Sequence, residues 1–159
     1  MDYKDKWILV TGASAGIGES VCRELEKKGA KIVLASRNLE ALENVRRSLD
    51  KPELHVIEKV DLADEASILK FYENIQKRNI TIDILINNGG VSQRAFALDT
   101  KSDVERSLME INFFGTVTLS KLFAKEMLKR KSGHIVIISS VVGKFGCPLR
   151  SSTWCRFWR

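Results

Sequence analysis

Cysteine, proline and histidine are all scarce in this chain of 159 residues, at three, two and two. Cys22, Cys147 and Cys155 are odd in number, far apart and without a Cys-x-x-Cys pair. That pattern argues against a disulfide framework and a zinc site and leaves reduced thiols with no bound metal. His55 and His134 each open an apolar run, HVI and HIVII, where a strand-edge side chain is expected rather than a metal ligand or a general base. No apolar run approaches the roughly 18 residues of a membrane-spanning helix, and MDYKDKW lacks the hydrophobic stretch of a signal peptide. No membrane segment is expected, and the expected location is cytoplasmic. Acidic residues are outnumbered, giving a net charge of +6 that suits an anionic ligand. The cations are spread over helical faces, in EKKGAK and KEMLKRK, without the interleaved aromatics of a nucleic-acid reader, so no nucleic-acid partner is expected.

What is present reads as one soluble, globular domain: 44% hydrophobic and 29% charged residues, with no linker, repeat or low-complexity stretch. Short β-branched runs, WILV (7–10), KIVLA (31–35), HVIEKV (55–60), IDILI (82–86) and HIVII (134–138), alternate with helical patterns. The intervening segments carry a 3.6-residue apolar period, as in Ile17, Val21 and Leu25, or Leu39, Leu42, Val45 and Leu49. Five strands with amphipathic crossovers predict an α/β fold with a parallel sheet covered on both faces. A fourth, longer helix is expected from Ser102, with Glu105 completing a capping box, to a stop at Gly133. Its apolar residues, Phe113 and Phe114 among them, exceed one stripe, so it is expected to touch more than its own sheet.

Between the first strand and the first helix stands TGASAGIG, Thr11 to Gly18. Glycines there let the backbone turn tightly and approach a pyrophosphate, whose charge the free N–H groups and dipole of the helix can hold. With Gly12, Gly16 and Gly18 spaced as G-x-x-x-G-x-G, the segment resembles the short-chain dehydrogenase/reductase family. Further signatures follow in order over residues 7–152: Asp61-Leu62 after the third strand, Asn87-Asn88-Gly89-Gly90 after the fourth, Asn112 in EINFFGT and Ser140 in GHIVIISSVVG.

The resemblance implies a Rossmann-type doubly wound sheet ending at the fifth strand, with 1–152 as an NAD(P)-binding domain. It implies that Thr11, Gly12, Ser14, Gly16, Ile17, Gly18, Asp61, Leu62, Asn87 and Gly89 contact the cofactor. Asn112 and Ser140 match two members of the family's catalytic tetrad, Ser140 as the hydrogen-bond donor to a substrate carbonyl. Singly, the bland readings stand beside these: Asp61 as a helix cap, Asn112 as a polar residue on a helix face, Ser140 as a strand end. The second strand ends in Ala35-Ser36-Arg37, with Ser36 where an NAD-preferring site carries an acid and Arg37 placed for a 2′-phosphate. NADP(H) is therefore expected over NAD(H).

The resemblance fails at the family's Tyr-x-x-x-Lys. Thirteen residues past Ser140 stands Thr153, and four further on Phe157. An alcohol hydroxyl is too weak an acid for the tyrosine's task, and Phe157 cannot replace a cation. TWCRFWR, 153–159, matches nothing in the family and reads as a divergent tail. The chain is expected to be a truncated, catalytically inactive form of an NADP(H)-dependent oxidoreductase acting on small carbonyl or alcohol substrates. The alternatives are a dinucleotide-binding module that pairs with a full-length partner and a truncated product without function. Family members are often homodimers or homotetramers. A bare apolar edge is expected at the fifth strand.

Overall fold

Parallel strands separated by amphipathic helices can bury both sheet faces only if the helices divide between them, and the chain folds accordingly. The computed structural model describes residues 2–140 and residue 149. The strands are β1 (Trp7–Thr11), β2 (Lys31–Ser36), β3 (Val56–Lys59), β4 (Ile84–Asn87) and β5 (His134–Ile137). They form one sheet in the order β3-β2-β1-β4-β5, every neighbouring pair parallel. The helices are α1 (Gly16–Lys27), α2 (Leu39–Arg47), α3 (Glu65–Lys77), α4 (Ser102–Met109) and α5 (Thr116–Lys129). The period of two along each strand divides the core. Leu9, Val33 and Leu85 pack with α3 and α5, whereas Ile8, Ile32 and Ile84 pack with α1 and α2. The strand order reverses between β1 and β4, and the crevice at their carboxyl ends is where open sheets of this kind take ligands.

The expected single helix from Ser102 to Gly133 is corrected on three points. A π-helical turn, Glu110–Gly115, separates α4 from α5. At the start, Lys101 occupies the N-cap without a side-chain cap, so the Ser102–Glu105 capping box does not form. At the end, α5 stops at Lys129, capped by Arg130, and the left-handed residue that reverses the chain is Lys131 (φ 53°), not Gly133. Gly133 instead lies so close to Met127 that no β-carbon fits. Phe113 and Phe114 of the wide turn are exposed and meet edge to face at 5.1 Å.

His55 is not a strand-edge side chain either. It is fully buried just before β3, where Ile32 N–H donates to its Nδ1 (3.2 Å). The ring therefore carries its proton on Nε2, which donates to Glu26 Oε1 (3.0 Å). Glu26 also accepts the backbone N–H groups of Lys51 (2.8 Å) and Asp50 (3.0 Å), tying the end of α1 to the α2–β3 connection. Burial, the largest influence, raises the Glu26 pKa, but these three donors outweigh it and hold the carboxyl below the usual carboxylate range. A lowered pKa stabilises the fold above the ordinary value of about 4.3 and loses that stabilisation as pH falls through the folded value. Denaturant titrations from pH 6 to 3 should thus show Glu26→Gln less stable than the unmodified chain near neutrality, with the gap closing on acidification. A gap independent of pH would count against the assignment. Cys22, the one free thiol among the described residues, is pushed up to about 12, chiefly by burial, and is inert as a nucleophile. Cys147 and Cys155 lie outside the described residues.

Candidate functional site

At the carboxyl end of β1 the chain must turn from a buried strand into α1 within a few residues. Gly12 (φ 65°) and Gly16 (φ 58°) take the left-handed conformations that make the turn. Gly18 is the position of closest approach. A β-carbon there would run into the Gly12 carbonyl and come within 2.7 Å of the Asn88 side-chain nitrogen. Ala15 caps α1 in an extended conformation without any side-chain hydrogen bond, so the first N–H groups of the helix have no side-chain acceptor at the cap. This uncapped end opens into a cleft of about 440 Å³ lined by Thr11, Gly12, Ser14 and Ile17 from the loop, among others.

The opposite wall comes from the end of β4. The Thr11 hydroxyl accepts N–H bonds from Asn88 (3.0 Å) and Gly89 (2.8 Å). The Asn88 amide in turn donates to the carbonyls of Thr11 (3.0 Å) and Gly12 (3.3 Å). One threonine and one asparagine thus stitch the two loops together across the switch point. Gly89 lines the cleft, whereas Asn87 does not. It is buried at 3% exposure and donates to Ser120 Oγ (2.9 Å), a bond between β4 and α5.

The far end of the cleft is formed by the ends of β2 and β3. Ser36, Arg37, Asp61 and Leu62 all line it. Ser36 Oγ accepts the Asn38 N–H (3.2 Å), and Asn38 Oδ1 caps α2 by accepting the Ala41 N–H (3.0 Å). Arg37, between them, is exposed and lines the cleft. Asp61 does not cap α3; Asp64 does, accepting the Ala66 N–H (3.0 Å). The Asp61 carboxylate holds its own turn through the Ala63 N–H (3.0 Å) while facing the cleft.

Asn112 lies in the π-helical turn and is buried at 7% exposure. Its Oδ1 accepts the Val91 N–H and its Nδ2 donates to the Val91 carbonyl, both at 2.8 Å. The side chain thereby acts as a strand-like partner for the backbone of the loop leaving β4. Leu108, Asn112 and Thr116, at spacings of four, are all buried and share one face of the segment, with Asn112 inside the wide turn. Ser140 is exposed, three residues past the end of β5, and is not among the cleft residues. Thr153 and Phe157, with the whole 153–159 tail, lie outside the described residues. Among the lining residues, Ala15, Asn38, Val60, Val91 and Ile111 are not assigned to the site from sequence, and Asn88 and Gly90 stand in the Asn87-Asn88-Gly89-Gly90 signature without a cofactor role of their own.

Comparison with known proteins agrees with this architecture. A family model described as short chain dehydrogenase matches residues 6–152. The chain is 41% identical over 152 residues to a dehydrogenase/reductase SDR family protein 7-like of Drosophila melanogaster, covering 92% of this chain and 47% of that protein. It is 43% identical over 155 residues to the protein of that name from Anopheles gambiae, covering 92% and 48%. The chain thus spans about half the length of these relatives. Among solved structures, a short-chain dehydrogenase from Streptomyces avermitilis superposes with a TM-score of 0.88 at 28% identity, over 96% of this chain and 55% of its own. A serine dehydrogenase complexed with NADP+ superposes with a TM-score of 0.85 at 26% identity, over 94% and 60%.

Proposed function

The chain belongs to the short-chain dehydrogenase family, and on that premise we propose that its cleft binds NADP(H), the cofactor half of an oxidoreductase site for carbonyls and alcohols. The observation that carries the reading is the glycine loop. Gly12 and Gly18 leave no room for a β-carbon, and α1 begins beside them without a side-chain cap, a fit for a pyrophosphate. Such a cofactor, when bound, supplies or accepts the hydride. The chain's own residues bind and orient: the loop takes the pyrophosphate, Asp61 and Leu62 face the adenine end, and Arg37 with Ser36 meets a ribose 2′-phosphate. Asn112 shapes the floor through Val91, and Ser140 offers a hydroxyl to a carbonyl oxygen.

Tyrosine occurs only at 3 and 72, followed four residues on by Trp7 and Gln76, so these 159 residues hold no Tyr-x-x-x-Lys. We therefore read the polypeptide itself as a nucleotide-binding module without turnover, in keeping with cytoplasmic residence and possible only as a partner to a complete site in catalysis. Titration followed by intrinsic fluorescence tests the cofactor assignment. A charge-assisted hydrogen bond to the 2′-phosphate is worth about 1.5–3 kcal/mol, so NADP+ should bind at least about tenfold more tightly than NAD+. Ser36→Asp with Arg37→Ala should reverse the order. Tighter NAD+ binding by the unmodified chain would remove Arg37 from the role.

A further inference from the structure

We propose that the chain carries a second ligand site at the amino ends of the strands, and that this site takes a free α-amino acid with an apolar side chain. In a parallel sheet the crossover helices run back from the carboxyl ends of the strands, so α3 and α5 both finish at the end opposite the cofactor cleft. Between their last turns lies a pocket of about 280 Å³ that shares no residue with the cleft, which makes the proposal independent of the dinucleotide reading. Its floor is apolar and buried, formed by Ile80, Ile82 and Phe123. Its wall is charged, formed by Glu126, Lys129 and Arg130. Small-molecule sites usually measure roughly 300–1,000 Å³, so a pocket just below that range limits the occupant to a compact metabolite.

The charged groups name the chemistry. Arg130 is half-buried and forms no ion pair among the described residues, and one of its N–H groups donates to the Ile82 carbonyl, which fixes the guanidinium at the pocket wall. Its remaining donors suit a carboxylate, which a guanidinium can take on two N–H groups at once. Four residues earlier, Glu126 accepts the Lys129 ammonium (2.9 Å) and the Tyr72 hydroxyl (3.3 Å), both on Oε1. Oε2 has no partner among the described residues and can accept an ammonium. The Lys129 bond, the largest influence, holds the carboxyl below the usual carboxylate range, so it is charged at neutral pH. Residues four apart on a helix are surface neighbours, so Glu126 and Arg130 present opposite charges side by side. A plain organic anion would face Glu126, and a plain amine would face Lys129 and Arg130. A ligand bearing both charges on one carbon meets a partner for each, and the floor takes its apolar side chain out of water.

The test is calorimetric titration of the full 159-residue chain with L-leucine, with isocaproate, which lacks the ammonium, and with isoamylamine, which lacks the carboxylate. Leucine should bind with a Kd below about 1 mM and at least about tenfold more tightly than either analogue, each of which forgoes one charge-assisted contact. Arg130→Met should cost leucine about tenfold and leave isoamylamine no weaker, whereas Glu126→Gln should cost leucine about tenfold and leave isocaproate no weaker. A general loosening of α5 would weaken all three ligands together, so this reciprocal split reads the contacts themselves. Saturating NADP+ should leave leucine affinity within about twofold, because the two sites share no residue. Leucine that fails to bind, binds no better than its analogues or is displaced by NADP+ overturns the proposal, as does full leucine affinity in both variants. Should either variant fail to fold, the analogue series on the unmodified chain still decides.

Discussion

Incubated with NADPH and a panel of aldehydes and ketones, the 159-residue chain should oxidise the cofactor no faster than the uncatalysed background. The carbonyl oxygen gains charge as hydride arrives, and a positioned proton donor that relieves it is typically worth about 10²–10⁴-fold. Neither Tyr72 nor Ser140, among the described residues, can stand in. Tyr72 sits against Phe123 at the α3–α5 contact, with its hydroxyl donating to Glu126 (3.3 Å). Burial first, then the Glu126 charge, raises its pKa, the opposite of what an acid catalyst needs. Ser140 can bind a carbonyl oxygen but cannot protonate an alkoxide, and without a lysine on the ribose nothing more fixes the two reactants, which deepens the deficit. Absorbance at the NADPH band is the measurement, with Ser140→Ala as control. Steady turnover that vanishes in the control would overturn the reading of the chain as inactive.

The second large effect is expected at Gly18. In Gly18→Ala the added carbon collides with the Gly12 carbonyl, which is backbone, and with the Asn88 amide that holds the loop in place. Overpacking of this kind typically costs about 1–3 kcal/mol, so NADP+ affinity should fall about tenfold or more and the melting temperature should drop. Gly16→Ala is the contrast: no atom lies within 4 Å of its β-carbon, yet φ is 58°, so the penalty is conformational, about 1–2 kcal/mol, without any collision. An unchanged affinity and melting temperature in Gly18→Ala would show that α1 can retreat from the loop.

Much of this architecture is legible in the residues because it is governed by periodicity and by glycine. β-branched runs specify five strands to within a residue or two, and the alternation with helices specifies the parallel order. The glycine loop is legible because only glycine meets both demands placed on it, left-handed turning and close approach. What stays hidden depends on partners distant in sequence. Nothing in HVI says that His55 will find a carboxylate 29 residues earlier and complete the β2 edge. Nothing local distinguishes Asn87, which turns into the core, from Asn88, which faces the cleft. The π-helical turn escapes for another reason: the apolar residues over 102–133 are too many for a single stripe, so the count is satisfied by one long helix and does not reveal the change of phase at 110–115.

The extra residue of the π-helical turn also determines where the segment can change length. Each residue of a regular helix adds about 100° of rotation, so a deletion in α4 or in α5 would swing one half of the segment relative to the other. Its buried side chains, Leu108 on one side and Leu119, Phe123 and Met127 on the other, would be carried off the sheet. A deletion between Glu110 and Gly115 is different, because the wide turn can relax to a regular one and leave both halves in phase. Slack in the helix is therefore confined to one turn. The loss would fall on the turn that holds Asn112 and its two bonds to Val91, so the cheapest change for packing is the one made closest to the site.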